Sequence, residues 1–330
     1  MLERGSAPKV QLSGPLQAAF VVKNAQRTAQ ALWDYFGIGP FHFEDWPPPD
    51  REGWVSHYRG KPARWELTLG FVDLGSLEIE LIEMTRGACG YSEFLERYGE
   101  GMHHLLFEVD DLDATEAALA EEGIGVVMGA SGRRPGTRWV VFETSRLLGW
   151  DIEVRNRLPG KGSDKPISVP HKQIGADLFA QEPVVRLGSP VQIGVVTDDA
   201  RQLGGQLGSL LGLGPFRFTD WPWDRPDMRG FFRGKPADFA MRMGFGNLGK
   251  IQMELLQPLR GESVYTEFLA RRGPGLHHLL FDVPDVEAKL AKLAQVGIGV
   301  RMTGTGLREG TQWLYLDTEE LLGWPVELRG

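Results

Sequence analysis

The sequence predicts an α+β fold built from four β-α-β-β-β modules, and three observations carry that reading. The first is a duplication: RGKPA from Arg59 returns from Arg233, GEGMHHLLF from Gly99 returns as GPGLHHLLF from Gly273, and GWDIEV from Gly149 returns as GWPVEL from Gly323, each 174 positions on. GIGPFHFEDWP from Gly37 answers GLGPFRFTDWP from Gly212 at an offset of 175, which puts a one-residue length change in the loop between the two blocks. The second observation is that each half divides again, because a Gly-apolar-Gly frame closes a stretch of helical periodicity at Gly37, Gly123, Gly212 and Gly297. The third is that a short apolar strand precedes each of these helices. Three short alternating stretches complete the module.

Along the chain, residues 1–14 read as an N-terminal tail and residues 15–157 as the first two-module domain. AAFVV from Ala18 is the opening strand, and AQRTAQALWDYF is a helix with Leu32, Trp33 and Phe36 on one face. The glycine that follows it accepts the left-handed conformation that closes a helix. LLFEV from Leu105 opens the second module. The acids between Glu108 and Glu122 interleave with Leu112, Ala117, Leu119 and Ala120, which predicts a helix with a solvated acidic face. GVVM, TRWVVFET and WDIEVR follow as strands separated by Gly, Pro and Ser. LPGKGSDKPISVPHKQ from Leu158 has the composition of a linker, placed at residues 158–180. The second domain, residues 181–330, repeats the order with IGVV from Ile193, LLFDV from Leu279 and the helix VEAKLAKLAQV, whose Leu290, Leu293 and Val296 share a face.

Composition narrows the function. Apolar residues at 42% and charged residues at 24% describe an ordinary folded chain. A net charge of −8 opposes binding to nucleic acid or an anionic membrane. The single cysteine, Cys89, excludes an intrachain disulfide and a cysteine-rich zinc site, and predicts a reducing, cytoplasmic location. MLERGSAPKV lacks the apolar core of a signal peptide, and no run of 18 apolar residues occurs, so the reading is neither exported nor membrane-spanning. A homodimer is compatible with the sequence, which holds nothing that decides it.

The chemistry-bearing residues recur at equivalent places. His103–His104 and His277–His278 each stand at the start of an apolar strand, where alternation lets one member of a pair face the inside of a curved sheet. Glu80 and Glu254, and Glu153 and Glu327, interrupt apolar strands, where a carboxylate is costly unless it is paired or metal-bound. A lone strand glutamate more often lies on the wet face of a half-exposed sheet. The joint recurrence with a histidine argues for something positive between them. Gln17 and Gln192 open the first strand of each half.

This pattern, with a polar residue starting strand one and a glutamate in strand four of each module, resembles the vicinal oxygen chelate superfamily. Its members include glyoxalase I, methylmalonyl-CoA epimerase, extradiol dioxygenases and bleomycin-binding proteins. The resemblance implies that two modules pair into one cupped mixed β-sheet, giving two such sheets in the chain. It further implies one divalent metal ion per half (Zn, Mn, Co, Ni or Fe(II)), held by Gln17, Glu80, His104 and Glu153 and by Gln192, Glu254, His278 and Glu327. Glu153 and Glu327 are the implied catalytic bases. Such a donor set polarises a carbonyl and stabilises an enolate, so the implied activity is a metal-dependent isomerase, epimerase or lyase acting on a small anionic or acyl-CoA molecule. A glyoxalase I-like lyase is the alternative, followed by an extradiol-type dioxygenase, which would want two histidines and one carboxylate, and a metal-free small-molecule binding protein.

Repeated loop residues are candidates for substrate contact or for fold-supporting turns: Asp45–Trp46, Arg59, Lys61 and Arg134, with Asp220–Trp221, Arg233, Lys235 and Arg308. Their cations, if they line a pocket, favour an anionic substrate. His103 and His277 read as supporting residues, and His42, His57 and His171 as surface residues.

Overall fold

The computed structural model describes residues 7–48, 53–132, 136–157 and 176–330. Most of the linker lies outside the described residues, as do Arg134 and His171. In the first half the chain runs β1 (Gln17–Val22), α1 (Ala25–Phe36), β2 (His42–Trp46), β3 (Ser56–Tyr58), β4 (Lys61–Pro62), β5 (Trp65–Asp73), β6 (Glu78–Gly87) and α2 (Gly90–Tyr98). The second module follows as β7 (Gly101–Val109), α3 (Leu112–Glu121), β8 (Val126–Ser131), β9 (Arg138–Phe142), α4 (Ser145–Leu148) and β10 (Asp151–Asn156). The second half repeats the order as β11 (Gln192–Val196), α5 (Ala200–Leu211), β12 (Arg217–Trp221), β13 (Gly230–Phe232), β14 (Lys235–Pro236), β15 (Ala240–Leu248), β16 (Ile251–Arg260) and α6 (Val264–Arg272). It ends with β17 (Gly275–Asp282), α7 (Val286–Gln295), β18 (Val300–Thr305), β19 (Gln312–Leu316), α8 (Glu319–Leu322) and β20 (Val326–Arg329). Among the described residues no helix is long and apolar enough to cross a membrane.

Each half forms one curled mixed sheet, in the order β2-β5-β6-β1-β7-β10-β9-β8-β3-β4 and its counterpart β12-β15-β16-β11-β17-β20-β19-β18-β13-β14. The seam between modules is the antiparallel pairing of their first strands, β1 with β7 and β11 with β17, flanked by parallel pairing to β6 and β10 or to β16 and β20. Modules therefore pair within a half. The hairpin β3–β4 crosses over from the first module to the edge of β8 in the second and extends the sheet there. Its two-residue turn, Arg59–Gly60, has positive φ at both positions, as does Arg233–Gly234. That is the turn whose twist matches the flanking strands, and it accounts for the repeated RGKPA. The four helix-closing glycines, Gly37, Gly123, Gly212 and Gly297, all have positive φ, as the sequence requires.

Strand alternation sorts each sheet into two faces. Ala18, Phe20 and Val22 point outward into a core that also holds α1, α3, α5 and α7 and is continuous between the halves. Ala19 and Val21 point inward with Trp46, Trp65, Leu67, Leu69, Phe71 and Trp139, and α2 closes this inner cluster through Tyr91, Phe94 and Leu95. The second half has its own inner cluster, which contains Trp221, Phe239, Met241, Tyr265, Trp313 and Tyr315.

The segment read as a tail is an ordered arm from residue 9 onward. Lys9, Val10 and Leu12 donate backbone bonds of 3.1, 2.9 and 2.9 Å to the carbonyls of Ser209, Leu210 and Leu211 at the end of α5. Val184, Val185 and Leu187 do the same, at 2.8, 3.2 and 2.9 Å, to Asp34, Tyr35 and Phe36 at the end of α1. The last carbonyls of a helix have no partner within it, so each half closes a helix of the other in a pseudo-twofold exchange. The Phe20 and Trp324 rings meet across the same interface with centroids 4.2 Å apart.

Leu12 is buried in the shared core. Leu12→Ala is expected to lower the unfolding free energy by about 2–5 kcal/mol in equilibrium denaturation, and a loss below about 0.5 kcal/mol would place the arm outside the core. A fragment of residues 7–157 uncovers the outer core and is expected to sediment as a dimer that rebuilds the arm exchange with a second copy. A folded monomer as heat-stable as the whole chain would contradict that.

Candidate metal centres

The strand register builds two equivalent squares of polar groups on the inner faces. In the first half Ala19 pairs with Glu80 on one side and His104 on the other, and Leu106 stands between Gln17 and Glu153. In the second half Gly194 lies between Glu254 and His278, and Leu280 between Gln192 and Glu327. All eight residues are buried.

Both histidines of each pair reach the inner face, contrary to simple alternation. The β1–β7 register steps from Ala19 opposite His104 to Phe20 opposite Met102, so His103 is the extra residue of a β-bulge, and His277 occupies the same place beside Gly194. His103 lies against Tyr91 and Phe94 of α2 and faces His104 with Nδ1 atoms 3.0 Å apart, and His277 and His278 repeat the distance. That contact leaves Nε2 of His104 and His278 turned toward the glutamates. A ligand nitrogen at Nε2 carries its proton on Nδ1, where the neighbouring histidine accepts it. Burial, followed by the adjacent histidine, lowers the pKa of His103 and His277 and keeps them neutral acceptors.

His278 Nε2 lies 2.6 Å from Glu327 Oε2 and 3.8 Å from Glu254 Oε2, and His104 Nε2 lies 3.1 Å from Glu153 Oε2 and 4.0 Å from Glu80 Oε2. Despite these distances, His104 Nε2, His278 Nε2 and Glu327 Oε2 are buried without an aligned hydrogen-bond partner. Donors that come close without pointing at each other are aimed at a common point between them. One ligand atom from each of Glu254, His278 and Glu327 lies within 4.8 Å of the others. Burial first, and the neighbouring Glu153 or Glu327 carboxylate second, push Glu80 and Glu254 well above the usual carboxylate range. Two desolvated carboxylates gathered around a buried imidazole call for a positive partner, and a divalent cation supplies one. The residues therefore fit the metal. Gln17 and Gln192 sit at the right corners of their squares, but their amides donate to Glu78 and Gln252, and Gln192 Oε1 also accepts from Arg329 at 3.4 Å.

A cavity of about 380 Å³ opens over the first centre. Gln17, Glu78, Glu80, Tyr91 and Glu153 line its polar floor, and Trp46, Leu67, Leu69, Phe71, Leu106 and Trp139 form its apolar walls. Tyr91 donates to Glu153 Oε2 at 3.4 Å, and burial raises its pKa so that it stays a protonated donor. Gly249 and Lys250 reach the mouth from the second half.

Of the loop residues read from the sequence, Trp46 lines this cavity, and Trp221 is buried at the matching place, stacked on Phe239 at 4.5 Å. Arg59 and Arg233 do not join them. They stand at exposed hairpin tips and hold Glu93 of α2 and Glu267 of α6. Lys61, Lys235 and Arg308 are exposed, as is Asp45. Asp220 is taken up by Arg242 at 2.8 Å. His42, read as a surface residue, lines the cavity and stacks on Phe71 at 5.3 Å. Sequence reasoning missed Glu78, which the inward alternation with Glu80 could have revealed, and Lys250, which no local pattern marks, both of which line the cavity.

Several comparisons bear on this geometry. A family model described as the glyoxalase/bleomycin resistance protein/dioxygenase superfamily matches residues 16–142 and again 191–315. Among curated proteins none matches the chain. Among solved structures, a mutant of 4-hydroxymandelate synthase from Streptomyces coelicolor shares the fold over 97% of this chain and 94% of its own, with a TM-score of 0.59 at 13% identity. A hypothetical protein from Bacillus halodurans C-125 aligns with 43% of this chain and 92% of its own at 22% identity and a TM-score of 0.32. With both halves matched and one Glu–His–Glu centre in each curled sheet, the chain belongs to the glyoxalase/bleomycin resistance protein/dioxygenase superfamily.

Proposed function

We propose that the chain is a divalent-metal-dependent isomerase, epimerase or lyase that removes a proton next to the carbonyl of a small molecule bound in the first-half cavity. One observation carries this reading: Glu80 and Glu153 line a cavity of about 380 Å³, and the buried His104 Nε2, without an aligned partner, lies 4.0 and 3.1 Å from their carboxylate oxygens. Held by these residues, with Gln17 able to complete the set by turning from Glu78, a divalent ion supplies Lewis-acid polarisation of the carbonyl oxygen.

The other groups divide the remaining tasks. Glu153 and Glu327, which the family resemblance implies as bases, are drawn into the ligand set by His104 and His278. Glu78, two residues before Glu80 on the same strand face, lines the cavity beside the centre and is bonded to Gln17, not to the histidine. We assign it the proton transfer in the first half. Trp46, Phe71 and Trp139 favour a substrate with an apolar or planar body and exclude water from the reacting atoms. Lys250 at the mouth favours an anionic group at the other end. The pairing of one histidine with two carboxylates supports this chemistry over an oxygenase, which favours two histidines and one carboxylate. The buried lone Cys89 and the absence of other cysteines support a reducing, cytoplasmic setting.

Elemental analysis of purified protein reconstituted with Zn, Mn, Co, Ni or Fe(II) is expected to find two metal ions per chain. No bound metal would overturn the reading. Solvent deuterium exchange should appear with one member of a panel of 2-oxo acids, thiohemiacetals and acyl-CoAs. Turnover that instead consumes oxygen with Fe(II) would replace the isomerase or lyase with a dioxygenase. With the responsive substrate, Glu78→Gln should keep both metals and lower exchange by about 10²–10⁴-fold, whereas Glu153→Gln should weaken metal binding in the first half.

A further inference from the structure

We propose that turnover belongs to the first half alone and that the second half has become a closed metal site serving the fold. This rests on the metal reading above and adds an asymmetry between the two centres. Three inner-face positions carry it.

The first is the position of Val141 in β9, which Tyr315 fills in β19. Tyr315 is fully buried, its ring centroid lies 5.0 Å from that of His278 and 5.6 Å from that of His277, and its hydroxyl accepts from Tyr265 at 3.1 Å. In the first half the equivalent Tyr91 reaches Glu153 instead, and the place paired with Glu153 is taken by the smaller Val141. Beside Glu327 and His278 the phenol therefore adds bulk that the first half does not carry at its centre.

The second is Ala19, replaced by Gly194. A methyl group at Gly194 would lie 1.8 Å from the His278 ring, so the imidazole occupies the volume that Ala19 holds in the first half. With that shift His278 approaches Glu327 to 2.6 Å, against 3.1 Å for His104 and Glu153. Among the described residues, Glu254, His278 and Glu327 are the group of acids and histidines gathered tightly enough to hold an ion as they stand. The third is Glu78, the proton-moving carboxylate, which is Gln252 in the second half and cannot accept a proton at neutral pH. Structural metal sites are closed by protein ligands, whereas catalytic ones keep an open position. The second half has the first character and the first half the second.

Bound Mn(II) tests this through the relaxation of water protons, which is strong only where water exchanges on the ion. Full-length His278→Ala retains the first site and His104→Ala the second, and equilibrium dialysis counts the Mn(II) bound to each. Mn(II) in His278→Ala is expected to relax water several-fold more per ion than Mn(II) in His104→Ala. Adding Tyr315→Val to His104→Ala should raise the second site toward the first, and adding Val141→Tyr to His278→Ala should lower the first. The two additions approach the same claim from opposite directions, so failure of either variant to fold leaves the other to decide. Equal relaxation at the two sites would overturn the asymmetry and leave the proposed function standing. Mn(II) binding to the first site only would overturn the closed metal site. Binding to neither would overturn the proposed function itself.

Discussion

The antiparallel seam between the first strands of paired modules is the contact on which the rest of each half depends. It is short, six residues of β1 against nine of β7, but it sets which side chains share the inner face. Sliding β1 by one residue along β7 would send Gln17 and Ala19 to the outer core and turn Phe20 inward, away from the face that keeps His104, because successive side chains alternate. The bulge at His103 adds a residue to one strand without disturbing the alternation beyond it. It therefore brings a second imidazole to the inner face, where it orients the first.

What this seam assembles would be unfavourable without a cation. Two carboxylates and an imidazole are withdrawn from water at the middle of each sheet, where burial, and then the neighbouring Glu153 or Glu327, raises the proton affinity of Glu80 and Glu254. The protein bears this cost with neutral groups around the site: Tyr91 or Tyr265, and a histidine held neutral by burial. Such surroundings stabilise the site only when the positive charge is supplied from outside.

The two faces of the sheets are under different constraints. On the outer face both halves contribute to one continuous core, and each arm completes a helix end in the opposite half, so a change there is felt twice. Among the described residues the two inner faces form separate clusters. Val141 could become Tyr315, or Glu78 become Gln252, without a compensating change in the other half. Duplication followed by this separation of faces allows two halves of one shape to hold different chemistry.

Much of the architecture was legible in the sequence. The repeat offsets, the helix-closing glycines and the isolated strand acids are local signals, and local geometry honours them: the four βαβββ modules and the positive φ values at Gly37 and Gly212 follow from periodicity, whereas the inward placement of Glu80, His104 and Glu153 was implied only by the family resemblance. The donors were readable because polar residues in apolar strands stand out against their neighbours. The arm at Lys9–Leu12 was not readable as structure, since its partners are helix carbonyls some 200 residues away in the chain. Nor could sequence distinguish the roles of repeated loop residues. Arg59 and Trp46 recur equally well, yet one is the tip of a turn and the other a cavity wall, because the hairpin crosses to the far edge of the sheet. The sequence by itself determined which residues could ligate and how the modules are ordered, for both are written in spacing along one strand. Only the tertiary structure decided which face is shared between halves and which cavity remains open, for those depend on volumes filled by residues far apart in the chain, such as Gly194 and Tyr315 around His278.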